Sequence, residues 1–317
     1  MRFSRSTTRL IAAAAVGAAV LTLHRPVESA AQLRVIRLRN AFISAIKNRA
    51  TITDLPFTVD HVKTSINSIS SGGKDGDLHV AGRPGPFVAL PMVAEIVNAR
   101  LENDDVVAAM RAAGKTTAKI QLSGVWRLWF EHPPKEVMIQ GGTLPPPDTT
   151  NPDHVFEIHP ITAVDGHDAD QSFVPIKNYT AYTAERAFAA YEKLQFRAKR
   201  NSTFTTITST MVGFNYTEFD AELAGATKHI NDATFVLADI LDENGHSVVV
   251  KPIRLVFADN TKAAAAFTAK GPKKGMKITV LGIPRVNLDK LMDEADKSPG
   301  NTVIVKGAYE IIVVGVS

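Results

Sequence analysis

Lys119-Ile-Gln-Leu-Ser-Gly-Val-Trp-Arg127 and Lys277-Ile-Thr-Val-Leu-Gly-Ile-Pro-Arg285 share one frame. In each, a Lys-Ile pair opens the stretch, the Lys five residues before a glycine, and an arginine follows the glycine by three. Both stretches have the composition of strands, each carrying a glycine with a hydrophobic flank. A second echo follows each of them: Phe156-Glu157-Ile158 and Tyr309-Glu310-Ile311. Offsets of 158 and 153 residues relate the two sets. A pattern that recurs at a nearly fixed offset implies two copies of one module.

The elements around these stretches agree. Phe57 to Ile66 is rich in β-formers, and Ser70-Ser-Gly-Gly-Lys-Asp-Gly-Asp77 is a turn by composition. Leu78-His-Val80 and Met92 to Val97 give two more strands. Asn103-Asp-Asp reads as a helix cap ahead of Val106, Val107, Met110 and Ala113, with Gly114 as the stop. Lys119–Arg127 is the fourth strand, and His154–His159 is the fifth, stopped by Pro160. Three strands, a helix and two strands is the order of an OB-type barrel. In the second half the Thr-rich Ser202–Met211 reads as the first strand, followed by Ala233–Leu241, Val248–Val250 with Ile253–Phe257, an Ala-rich helix from Asn260, and the two echoed strands.

The fold expected is therefore mainly β: two tandem OB-like barrel modules joined by a helix, after an N-terminal signal peptide. The boundaries expected are 1–31 for the signal peptide, 32–53 for an amphipathic helical segment, 54–166 for module 1, 167–201 for a connecting segment with a helix, and 202–317 for module 2. Thr183 is the expected cap of that helix, whose face carries Phe188, Tyr191 and Leu194. Leu144-Pro-Pro-Pro-Asp-Thr-Thr-Asn-Pro152 is a stiff loop expected over the rim of barrel 1.

At the N-terminus, Arg2, Arg5 and Arg9 precede an apolar run from Leu10 to Leu23, and Ser29 and Ala31 stand at small-x-small positions before Gln32. This is the form of a secretory signal peptide, and the run falls short of the ~20 residues of a membrane span. The expected location is periplasmic or secreted, with no stable membrane span after cleavage. Removing residues 1–31 takes away four arginines and one glutamate, which lowers the formal charge from +4 to +1. So balanced a chain is not an expected nucleic-acid partner. The 317 residues include no cysteine, which excludes disulfides, zinc–thiolate sites and thiol nucleophiles.

The chemistry-bearing residues fall in order along module 1: Asp75-Gly-Asp77-Leu-His79, then Glu95 in a strand, a Ser-Gly-Val strand, and Glu157-Ile-His159-Pro160. This series resembles a family of uncharacterised exported bacterial proteins, over residues 57–164. The resemblance implies an OB-like barrel and export, and no known activity. Two departures are Ser123-Gly124 in place of Thr-Gly, and the long insert 133–153. Asp-Gly-Asp at a strand start also resembles the thermonuclease family, in which acidic residues hold calcium. Here Leu78 replaces the threonine of that motif, and its Arg-containing strand is missing.

Asp75, Asp77, His79, Glu95, Glu157 and His159 are thus the binding or metal candidates. Imidazole with carboxylate suits zinc, iron or manganese. Their alternative role is structural, with Glu157 and His159 bonding to the Asp75–Asp77 turn. Alternation puts His154 on the face opposite His159. Trp126, Arg127 and Trp129 are candidates for an aromatic binding surface. No Gly-x-Ser-x-Gly, phosphate-loop, dinucleotide-loop or His-Glu-x-x-His motif is present, so no catalytic residue is assigned. The function expected is an exported non-enzymatic binding or assembly protein without a cofactor, of unknown ligand or protein partner. The alternative is a divalent-metal-assisted hydrolase on module 1.

Overall fold

A computed structural model describes residues 32–70, 74–101 and 104–317. The expected signal peptide and the Asn103 cap lie outside the described residues. Residues 32–317 form one compact unit.

Barrel 1 is built from β2 (Thr51–Val62), β3 (Leu78–Pro84), β4 (Met92–Ile96), β5 (Lys119–His132) and β6 (His154–Val164), taking β1 to be Arg34–Arg39. Pairing runs β2-β3-β4-β6-β5 and closes from β5 back to β2. Only β4 and β6 run parallel. Helix α2 (Asp104–Thr116) joins β4 to β5 and buries Val106 and Met110.

Barrel 2 repeats this order: β9 (Thr217–Leu223), β10 (Ala233–Leu241), β11 (Ile253–Ala258), β12 (Lys277–Val286) and β14 (Tyr309–Val316). Pairing runs β9-β10-β11-β14-β12 and closes on β9, again with one parallel pair, β11 with β14. Helix α4 (Lys262–Ala269) joins β11 to β12, and its Thr261 cap accepts from the Ala264 N–H at 3.2 Å. The two OB-like barrels expected from the repeat are both closed.

A third sheet was not legible in the repeat. Its order is β13 (Thr302–Lys306), β7 (Gln195–Arg200), β8 (Phe204–Ser209), β1, and a short strand at Met138–Ile139. It collects pieces from the N-terminal segment, the insert in module 1, the connecting segment and the stretch between β12 and β14. Three expectations change, the first two because of this sheet and the third within barrel 1. Residues 32–53 are not helical throughout: Arg34, Ile36 and Leu38 are buried in alternation, which makes a strand, and only α1 (Asn40–Ile46) is helical. The Thr-rich 202–211 stretch pairs with β1 in this sheet, and barrel 2 begins at Thr217. Strand β6 passes Pro160 to Val164, because register slips opposite β5 from Ile158 to Ile161 and leaves the proline in a bulge.

Connecting helix α3 (Ala184–Tyr191) follows Thr183 as expected and buries Phe188 and Tyr191. Its Thr183 side chain makes no capping bond. Helix α2 continues past Gly114, whose missing side chain leaves room for Val62: a Cβ there would lie 2.6 Å from Val62 Cγ2.

The barrels meet through their repeated strands. Arg127 Nε of β5 donates to the Pro284 carbonyl of β12 at 3.1 Å, and Arg285 Nη1 of β12 donates to the Trp126 carbonyl of β5 at 3.1 Å. Each arginine thus bonds to the residue preceding its own counterpart. The contact has the self-complementary form of a two-fold interface, here within one chain. Arg285 also stacks over Trp126, 3.8 Å from the ring centroid.

Candidate functional site

Period-two alternation puts Glu157 and His159 on the face of β6 opposite Phe156 and Ile158. On an isolated barrel that face would meet water. Here all four side chains are buried, because β5 packs on barrel 2 and Tyr216, just before β9, covers His159.

The six sequence candidates form one chain of polar contacts across β3, β4 and β6. Asp75 Oδ1 accepts from the Asp77 N–H at 3.2 Å, and Asn67 Nδ2 donates to Asp77 Oδ1 at 2.7 Å. His79 Nε2 lies 2.5 Å from Asp77 Oδ2 and 3.5 Å from Glu95 Oε1. The other oxygen of Glu95 lies 3.2 Å from His159 Nδ1, which is also 3.2 Å from Glu157 Oε2. The expected direct bond from Glu157 and His159 to the Asp75–Asp77 turn is replaced by this bridge: β4 lies between β3 and β6, so Glu95 stands between the two groups.

Glu157 is saturated. Arg127 Nη1 donates to its Oε2 at 2.7 Å, and His154 Nε2 lies 3.0 Å from Oε1. Arg127 continues to Glu131 at 2.9 Å. His154 joins the set although alternation set it apart from His159: it is the first residue of β6, and its ring reaches Glu157 three residues on. His159 Nε2 lies 3.0 Å from the Tyr216 hydroxyl, which burial keeps protonated and able to donate.

Burial lifts the Asp75 carboxyl well above its usual range, and the neighbouring Asp77 and Glu95 add to this, so it stays protonated. Burial opposes ionisation of Asp77 too, but bonds from His79, Asp75 and Asn67 hold its carboxyl below the usual value. His79 resists burial through Glu95 and Asp77 and is pushed up to about 9. At Glu157 burial is outweighed by the Arg127 charge and by bonds from His154 and His159, which hold it well below the carboxylate range. His154 is raised against burial by Glu157.

Arg127 was expected on an aromatic surface with Trp126 and Trp129. All three are at most 1% exposed, so that surface does not exist. Trp126 packs in the barrel interface with its Nε1 on the Arg49 carbonyl, and Trp129 packs on Tyr191. Sequence reasoning missed Tyr216, which is 57 residues from His159 and carries no motif. It also missed the ionic part of Arg127, although its signal was present: Arg127 and Glu157 recur as Arg285 and Glu310, which pair at 2.6 Å.

The repeat provides an internal comparison. Glu157 faces Val93 in barrel 1 as Glu310 faces Arg254 in barrel 2, so Glu95 corresponds to Val256 and His159 to Ile312. His79 pairs with Glu95 as Phe235 pairs with Val256, which matches His79 to Phe235 and Asp77 to Ala233. Barrel 2 closes with Ala233, Phe235, Val256 and Ile312, all buried, where barrel 1 carries Asp77, His79, Glu95 and His159. The Arg–Glu pair is common to both barrels, and the His–carboxylate layer is specific to barrel 1.

Two groups within that layer bring ligand atoms within 4.8 Å of one another: Asp77, His79 and Glu95, and Glu95, Glu157 and His159. Four cavities of about 310–440 Å³ open elsewhere, and none is lined by these residues. Compared with known proteins, the chain matches no family model and no curated protein.

Proposed function

We propose that the protein is an exported, non-enzymatic binding or assembly protein. The observation that carries this reading is the burial of the Glu157–His159 end of the polar layer, of which His79 at the other end is the one partly exposed candidate. Glu157, the best-placed carboxylate, already accepts from Arg127, His154 and His159, and it is 2% exposed. A general base must reach a substrate proton within about 3 Å, directly or through one water. Its accepting oxygens are spent on internal partners, and the two barrels are locked into one platform over it. Export rests on the N-terminal segment alone. The purified protein should not hydrolyse bis-p-nitrophenyl phosphate in the presence of magnesium, calcium, manganese or zinc. Turnover that disappears in both Asp77→Asn and Glu95→Gln would overturn the reading, and an intact Met1 on protein from the native envelope would mean a retained membrane anchor in place of a cleaved signal peptide.

A second reading has an observation of its own, the comparison between barrels. Replacing a buried ion network by apolar side chains is often neutral or stabilising, and barrel 2 has that apolar set. The layer in barrel 1 is therefore not required for closure, and a divalent cation shared by Asp77, His79 and Glu95 gives it a use. Manganese, zinc or calcium should then raise the Tm of the wild type and leave that of His79→Phe unchanged. Equal shifts in both proteins would remove this reading and leave the first.

A further inference from the structure

The five strands of the third sheet carry Arg34, Arg37, Arg39, Arg197, Lys199, Arg200 and Lys306, and no aspartate or glutamate. In a chain with nearly balanced charge this is a concentrated excess. Arg37, Arg39, Arg197, Lys199 and Lys306 alternate with buried residues and so share the outward face. Among the described residues none of these five has a carboxylate within ion-pair distance, whereas Arg200 is paired with Asp296. Register sets their layout. Arg37 and Lys199 flank Thr206 in one row, and Arg197 stands between Thr208 and Ile304 in the next. With strands ~4.8 Å apart and same-face neighbours ~6.7 Å apart, the cations stand roughly 7–10 Å from one another.

Two features extend the positive potential. Beneath the face, Arg34 is 7% exposed, and its Nε and Nη1 have no partner. At the edge, Arg39 turns into a cavity of about 330 Å³ that Lys119 also lines, with Gly141 and Gly142; Arg83 lines it too, but its charge is taken up by Asp60. Summed charges of one sign over a face or cleft raise the local concentration of the opposite ion.

We propose that this face binds a linear acidic polysaccharide, with the Arg39–Lys119 cavity taking one anionic sugar group. The proposal rests on the binding-protein reading above and names its ligand class. Regularly spaced cations separated by threonine hydroxyls match a polymer with one carboxylate or ester anion per sugar or two. Nucleic acid fits less well: single strands are held by bases stacked on successive aromatics, and the one aromatic here, Phe204, is covered by Arg37 at 5.1 Å.

The experiment is a titration of the purified protein with alginate at 50 and 200 mM salt, beside single-stranded DNA and phosphatidylglycerol vesicles. Alginate should bind, at least tenfold more weakly at the higher salt. Arg197→Glu/Lys199→Glu, which alters two exposed side chains, should lose at least tenfold in affinity. Lys270→Glu/Lys273→Glu, at the far end of α4, should match the wild type, and circular dichroism should show all three proteins folded. Absent alginate binding, equal loss in both double variants, or tighter binding to DNA or vesicles would each overturn the proposal. None of these outcomes bears on the hydrolysis assay, so the broader reading stands or falls separately.

Discussion

Asp75 is a carboxyl that the fold keeps protonated. It supplies an acceptor to the Asp77 N–H and bonds to the Asp77 side chain. Because its folded pKa is raised, its proton must be taken up on folding at neutral pH, which costs stability there. Asparagine has the same shape, keeps the acceptor and carries a permanent donor. Asp75→Asn should therefore raise Tm at pH 7, and the gain should shrink as pH falls and vanish below about 3, where the unfolded aspartic acid, with its ordinary value of about 3.9, is protonated too. Melting curves at the two pH values decide it. His79 and Glu157 act on opposite limbs. Glu157 is depressed, so its contribution is present above the usual carboxylate range and is lost as pH falls through its folded value. His79 is raised to about 9, so its contribution is complete below its ordinary 6.5 and is lost between there and about 9. Urea midpoints should peak at about pH 5–6.5, given ordinary carboxylate and imidazole values. His79→Phe, the residue of barrel 2, should flatten the alkaline limb and also weaken the acid limb, because His79 is the first of the partners that hold Asp77 down.

At the scale of the element, the glycines of β5 and β12 decide how the barrels close. A Cβ at Gly282 would lie 2.2 Å from Ile311 Cγ2, and one at Gly124 would lie 2.4 Å from Ile158 Cγ2 and 2.6 Å from the Pro160 carbonyl. Ile311 is a side chain and can turn, whereas Pro160 O is backbone. Gly282→Ala should cost about 1–3 kcal/mol, the range for overpacking, and Gly124→Ala more, as read from urea denaturation of the two variants. These glycines were legible because the same strand was written twice, and so was the element order of barrel 1; the six polar candidates, absent from module 2, were legible only from their spacing along module 1. The third sheet was not legible, since its pairings join Arg34–Arg39 to residues about 170 positions away, and local periodicity carries no information on distant partners. His154 was hidden because alternation describes the middle of a regular strand, and this residue stands at the first position of β6. The burial of Trp126 and Arg127 was hidden because strand alternation separates two faces without saying that a second barrel covers the outer one.

At the scale of the whole molecule, the two copies serve as each other's solvent-excluding surface. Arg285 bonds to Glu310 in its own barrel and to the carbonyls of Arg49, Ala50 and Trp126 in or beside the other. Asp232 of barrel 2 adds acceptors for the Ala50 and Thr51 N–H groups at 2.9 Å. Carbonyls buried at that seam have no water to turn to, so removing their donor costs the desolvation of each. Arg285→Met would preserve much of the volume while stripping the donors and leaving Glu310 to Arg254. The loss should be about 3–5 kcal/mol, as for one partner of a buried ion pair. The cost should also divide unequally. Barrel 2 keeps its closed ladder, while the Arg49–Thr51 entry to β2 and the Trp126 strand lose their outer cover. The wild type should unfold in one calorimetric transition, because neither barrel can expose this face alone. In Arg285→Met the transition should split, with the fluorescence of Trp126 and Trp129 reporting the earlier step. A single transition merely shifted to lower temperature, with fluorescence and heat absorption coincident, would mean that the seam is held by packing and that the reciprocal arginines are not what couples the barrels.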